Sequence, residues 1–467
     1  MSNMEPLSVP AAKAWVPHII YRLRLPFPLV LTITMLFAAP ASLRAQASPN
    51  MAPGYQQTYD RMLQQIRQIA IFDDHGHPGF ADDSDVDAMA SSPSHSPLRL
   101  QSDNPELIDA SKAIFDYPYS DNSPEHLKWL VTKKAEMRQT YPGYQYFDRI
   151  LDKLNVQTMM ANRVAMPNYL DPRRFHWVFF VDSFLFPLDN SDLTARNIDE
   201  GVYVPLQEKL LKRELGQAGL SALPRTFPEY LAFVSKILEQ NRAHGGVSIK
   251  FEIAYFRSLH FDDPPEAAAA SIYNQFNAGG KPSAAEHAQF EDFMFRYLLR
   301  EAGRLHLAVQ IHTAVGTGDF FSVTGGNVLN LENVLRDPRY SNVNFVLLHG
   351  GYPFQDQAIW LTARENVYLD SSLMGLYLYP ADLAEVLRHW LLLYPDKVVF
   401  GSDAFPFSEA IGAEESDWLA IESARKALAA ALSRMILDGE VTEARALQFA
   451  HAYLHDNAAR IYPAPLQ

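Results

Sequence analysis

The sequence predicts an α/β fold: a (β/α)8 TIM barrel with an inserted, partly helical segment after the first strand. Three observations predict it. Eight short apolar runs recur along the chain, helical patterns separate most of them, and His or Asp falls at the C-terminal end of several runs. Runs that are apolar on both faces and joined through helices indicate a parallel sheet, and eight such units suit a closed barrel. A doubly wound sheet is the alternative. With 467 residues, 48% hydrophobic and 20% charged, the chain can build a core of that size. This composition excludes a disordered or collagen-like chain.

The N-terminus reads as a targeting segment. Arg22 and Arg24 precede an apolar run over 25–40, and Ala45-Gln46-Ala47 offers a small-x-small cleavage site. This is the three-part pattern of a secretory signal. A spanning helix needs about 20 apolar residues; this run is shorter, and Pro26 and Pro28 interrupt it. Residues 1–47 are expected to be removed, leaving 48–467 as one exported barrel, periplasmic or extracellular, with no stable membrane anchor after cleavage.

The formal charge is −14, and losing Lys13, Arg22, Arg24 and Arg44 against Glu5 makes the remainder more acidic still. Phosphate binding wants clustered Lys and Arg, so nucleic acid is not an expected partner. A small-molecule substrate is, and a homo-oligomer is compatible with the sequence. The chain has no cysteine, which excludes disulfides, thiolate metal sites and cysteine nucleophiles together. Any transition-metal site must use imidazole and carboxylate, and 15 histidines are available.

A helical pattern over 55–69 leads into the first run, 69–72, which ends in a polar loop, Asp73-Asp74-His75-Gly76-His77-Pro78. Residues 79–150 are rich in Ser, Asp and Pro, with a helical pattern over 124–138, and read as an insertion or lid. The other runs are 156–161, 177–181, 247–251, 307–311, 343–348, 366–369 and 397–400, with helical patterns between them such as 358–364 and 380–393.

The polar residues at the run ends carry the chemistry, because barrel active sites are assembled at the C-terminal ends of the strands. His75 and His77, two apart on an extended backbone, project from one face and can chelate Zn²⁺. Lys250 sits inside the fourth run on the face shared by Ser248 and Glu252. Lysine is rarely buried without a partner. It snorkels to solvent, forms a Schiff base, or becomes a metal ligand after carboxylation of its amine, and the histidines favour the last. Arg257, shortly after this run, either clamps a substrate carboxylate or is an ordinary surface arginine. His312 and His349 end the fifth and sixth runs, and Asp403 follows the eighth. A carboxylate emerging from an apolar run is costly unless satisfied. An ion pair or a helix N-cap would satisfy it, but the neighbouring histidines favour a metal.

Taken as a set, these residues resemble the amidohydrolase superfamily, specifically its amidohydrolase-2 group of metal-dependent barrel hydrolases. The matching elements are His75-x-His77, Lys250, His312, His349 and Asp403. Their contexts match too: Gln310-Ile311-His312-Thr313, Leu348-His349-Gly350-Gly351, Asn366-Val367-Tyr368-Leu369-Asp370 and Phe400-Gly401-Ser402-Asp403. Residues 250–259 are most similar to the amidohydrolase domain fused to glutamine-synthetase-like domains in some fungal and plant proteins. The resemblance implies that His75, His77 and Asp403 hold one divalent metal, typically Zn²⁺. It further implies that a carboxylated Lys250 bridges to a second metal on His312 and His349. In one-metal variants His312 joins the first three ligands and His349 polarises the substrate or water. The implied activity is attack of metal-activated water on an amide or ester/lactone-type carbonyl, with Asp403 as general base. The alternative is a metal-dependent decarboxylase or hydratase of a carboxylated small molecule, for which Arg257 would serve as clamp.

Overall fold

The structure, a computed structural model, describes residues 53–89 and 97–463. The chain divides into a unit over 1–47, outside the described residues together with the expected signal and its cleavage site, and a unit over 48–467 that holds the barrel.

Eight strands form one sheet in sequence order: β1 (Ile71–Gly76), β2 (Val156–Asn162), β3 (Phe175–Phe180), β4 (Gly246–Phe251), β5 (Ala308–Ile311), β6 (Phe345–Leu347), β7 (Val367–Asp370) and β8 (Val398–Val399). Every neighbouring pair is parallel. The first and last strands meet at a seam: Asp74 N donates to Phe400 O at 2.8 Å, Asp403 N to His75 O at 2.7 Å, and His77 N to Ala404 O at 2.7 Å. The predicted (β/α)8 barrel is the observed fold.

The strands are short and apolar because they are covered twice. Outward residues such as Ile71, Ile249, Val309 and Leu369 pack under the surrounding helices. A separate cluster of Phe72, Met160, Val178, Ala308, Val346 and Val399 fills the interior, plugged by Ala458 and Ile461 of the last helix, Asn457–Ile461. One alternation further along the strands, the interior layer turns polar, with Asp74, Lys250, Gln310 and Asp370 all buried. The site is built on this layer.

The first strand differs from expectation, running through Asp73, Asp74 and His75 where the sequence suggested a loop. Its two aspartates tolerate the interior because they have partners. Asp73 Oδ1 accepts from Ser402 N at 2.8 Å, and Asp74 Oδ1 accepts from Tyr462 Oη at 2.6 Å.

The insertion carries helices Pro105–Phe115, Pro124–Thr140 and Gln145–Leu154, the first two with proline in the opening turn, where its missing N–H costs nothing. A buried network ties it to the long helix Ala413–Leu437. Lys134 Nζ lies 2.6 Å from Glu415 and 3.4 Å from Glu414, and Tyr146 Oη donates to Glu414 at 2.6 Å.

Another buried acid sets a pH dependence. Glu214, on the helix Ile198–Gln217, accepts from Ser183 Oγ at 2.7 Å, and burial pushes its carboxyl up to about 8. The folded state therefore holds this proton more tightly than the unfolded chain. Its contribution is full below about pH 4.5 and is lost as pH rises towards 8. Glu214→Gln removes that titration. Thermal melts of the two proteins should show the variant gaining on the parent between pH 5 and pH 8; a constant gap would refute the assignment.

Candidate metal centre

The site lies where the C-terminal strand ends converge. His75 is inside β1 and His77 just beyond it, Lys250 is in β4, His312 follows β5, His349 follows β6 and Asp403 follows β8. All six line one cavity. His349 (φ 63°) and Asp403 (φ 55°) both adopt the left-handed conformation, which non-glycine residues accept mainly where surrounding contacts impose it.

His75, His77 and Asp403 group tightly, each offering a ligand atom within 4.8 Å of the others. Asp403 Oδ1 is 3.1 Å from His75 Nε2 and 3.4 Å from His77 Nε2. Lys250 Nζ is 3.5 Å from His75 Nε2. Across the cavity, His349 Nε2 lies 3.0 Å from His312 Nδ1.

Hydrogen-bond accounting assigns the ring protons of His75, His312 and His349. The Gln310 amide nitrogen donates to Asp74 O and faces Tyr462 Oη, both at 2.8 Å, so its Oε1 accepts from His75 Nδ1 at 3.2 Å. That leaves a lone pair on His75 Nε2. His77 Nδ1 lies 3.1 Å from Asp87 Oδ2 without a hydrogen bond to it, and its Nε2 faces Asp403. Ser372 Oγ donates to Asp370 and so accepts from His349 Nδ1 at 3.0 Å, while His312 Nε2 donates to Val315 O at 3.0 Å. Two lone pairs then face each other across the 3.0 Å between His349 and His312, a separation that two nitrogen–metal bonds of about 2.1 Å span. The donor set fits divalent metal: His75, His312 and His349 turn lone pairs inward, beside the His77 ring and one carboxylate.

Electrostatics agrees. Burial, then the neighbouring Lys250, holds His75 well below the ordinary imidazole range; burial and His349 do the same to His312, and burial brings His349 to about 4. Neutral imidazole is the ligand form. Burial opposes ionisation of Asp403, but the adjacent His75, His77 and His349 rings outweigh it and hold the carboxyl well below the carboxylate range. Burial lowers Lys250.

Arg257 is not brought to this site. Its guanidinium bonds Glu291 at 2.9 Å and Asp292 at 2.7 Å, both on the helix Ala284–Leu305, as well as the Ala288 and His260 carbonyls. Two carboxylates one helix away satisfy it, so the substrate clamp does not form. Conversely, Gln310, Asp370 and Ser372 orient the histidines, Asp87 lies against His77, and none of them was singled out from the sequence. A polar residue two before His312 on a buried strand was the available signal for Gln310. Asp87, inside the Asp-rich insertion, had none.

Residues 265–464 match the family described as amidohydrolase. A stretch of 156 residues is 29% identical to protein fluG of Emericella nidulans, covering 33% of this chain but 17% of that protein, so the chain spans a small part of its relative. Among solved structures, one from Lactobacillus casei assigned to the metal-dependent hydrolases superposes with a TM-score of 0.55 at 18% identity, covering 86% of this chain and 96% of that one. Uronate isomerase from Thermotoga maritima superposes with a TM-score of 0.56 at 12% identity, covering 87% and 97%. At such identities the likeness is one of fold. The chain therefore has the barrel fold of these structures, and its residues 265–464 match the amidohydrolase family model.

Proposed function

We propose that this protein is an exported metal-dependent hydrolase of a small molecule, cleaving an amide or an ester/lactone-type bond with Asp403 as general base. The observation that carries the reading is Asp403 Oδ1 set between His75 Nε2 and His77 Nε2, at 3.1 and 3.4 Å, at the mouth of the barrel. A bound divalent metal, Zn²⁺ by the thiolate-free donor set, supplies Lewis acidity to the carbonyl and acidity to water. His75, His77 and Asp403 would hold it, with His312 and His349, and Lys250 if carboxylated, holding a second.

The chain's residues do the remaining work. Asp403 is ionised, and its side chain is 15% exposed towards the cavity, so it can accept the proton of the attacking water and return it to the leaving nitrogen or oxygen. Gln310 keeps the His75 lone pair pointing at that reaction. Ser372, held by Asp370, does the same for His349. The decarboxylase alternative needs a carboxylate clamp. Among the described residues no arginine lines the cavity, which leaves that reading unsupported. Export rests on residues 22–47; among the described residues no helix is long and apolar enough to cross a membrane.

Chelation tests the reading. Stripping the metal should abolish hydrolysis across a panel of amides, esters and lactones, and Zn²⁺ should restore it, with metal analysis reading one or two ions per chain. Full hydrolysis by demonstrably metal-free protein would refute the proposal.

A further inference from the structure

We propose that the substrate carries an uncharged hydrocarbon or aromatic group next to the bond that is cleaved, seated on an apolar wall that the insertion helps to build. This rests on the hydrolase reading of the same cavity and narrows its substrate class.

The wall is formed by cavity-lining side chains from separate segments: Leu100 of the insertion, Leu373, Leu376 and Tyr377 after β7, and Phe405 and Phe407 after β8. It is continuous. Leu100, Leu373, Tyr377 and Phe407 pack on one apolar cluster that contains Leu376, Ile411 and Leu419. The Phe407 and Phe405 rings are 6.1 Å apart, and the Phe405 ring stands edge-on to His77 at 5.8 Å. The apolar surface therefore starts at the metal centre itself. It is also in place before anything binds. Leu100, Leu373, Tyr377 and Phe407 are half-buried, packed on that cluster while lining the cavity. Buried Arg99 fixes the part supplied by the insertion. Its guanidinium donates to Gly375 O at 2.9 Å, in the short helix Met374–Tyr377 that carries Leu376 and Tyr377. It also donates to Ser423 Oγ at 2.6 Å and to the Glu106 carboxylate at 2.7 and 2.8 Å. A preformed apolar surface selects apolar surface, because their contact removes water from both. A charged group set on it would lose its hydration with nothing to replace it. Among the described residues, the charged groups lining the cavity are Lys250 and Asp403, with Glu252 beside Lys250 and Asp87 against His77. None of them belongs to the wall.

Calorimetry on the metal-loaded protein tests this with phenylacetohydroxamic acid and acetohydroxamic acid, which share a metal-binding head and differ in the phenyl group. The phenyl compound should bind the parent at least about 10-fold more tightly. In Phe407→Ser and in Leu100→Ser that preference should shrink at least about threefold, with metal content unchanged. Equal binding of the two compounds to the parent overturns the proposal without any variant. An undiminished preference in both variants overturns it as well. So does parent binding of succinic acid monohydroxamate, whose remote carboxylate is charged, as tight as that of the phenyl compound. If the protein takes up no metal and neither hydroxamate binds, the hydrolase reading fails, and N-phenyl-1-naphthylamine, a neutral aromatic dye that needs no metal, decides the wall. Dye affinity at least about threefold weaker in Phe407→Ser than in the parent supports it, and equal affinity overturns it. A protein that shows the preference but hydrolyses nothing sinks the hydrolase reading alone, and one that hydrolyses charged and apolar substrates alike sinks only this proposal.

Discussion

Asp403→Asn should lower kcat by about 10²–10⁴-fold while the barrel stays folded. Asparagine keeps the shape of the side chain and the oxygen facing His75 and His77 at 3.1 and 3.4 Å. It also tolerates the left-handed backbone at φ 55° better than most residues, so the seam bond from this residue to His75 O survives. What disappears is the negative charge and the ability to accept a proton. Turnover, melting temperature and metal content, measured together, separate the outcomes. A kcat within threefold of the parent at full metal occupancy would exclude Asp403 as the base.

Gly350→Ala should destabilise the fold by about 2–4 kcal/mol. Gly350 sits at φ +61°, and an added Cβ would lie 2.4 Å from Trp390 Cη2 and 3.0 Å from Met374 Sδ. Trp390 is fully buried in the helix Pro380–Leu393 and has nowhere to retreat. Strain therefore passes to the neighbour, His349, whose backbone amide donates to Asp370 and whose Nδ1 rests on Ser372. Denaturant unfolding reads the stability loss, and metal titration of the folded fraction should show weaker binding. Parent-like stability would refute close packing of Trp390 against this turn.

The barrel was legible because each strand is buried on both faces and so reads as an unbroken apolar run, bounded by helices of a different period. Its ligands were legible for the complementary reason: His312, His349 and Asp403 interrupt those runs where a polar group must have a partner. Asp73 and Asp74 defeated that logic. Their partners Ser402 and Tyr462 lie more than three hundred residues away, so locally they look like a loop. Arg257 misled for the same reason, since nothing near it in sequence announces Glu291 and Asp292.

The seam between β1 and β8 has a consequence for biosynthesis. Its bonds run through the candidate site itself, Asp403 N to His75 O, so the last strand of the sheet closes the barrel and brings Asp403 to the histidines in one event. Contacts so distant along the chain form late and slowly. A nascent or partly unfolded chain can present His75 and His77 but not the finished centre. Competence to bind metal at full strength is thus a report that the whole barrel has closed.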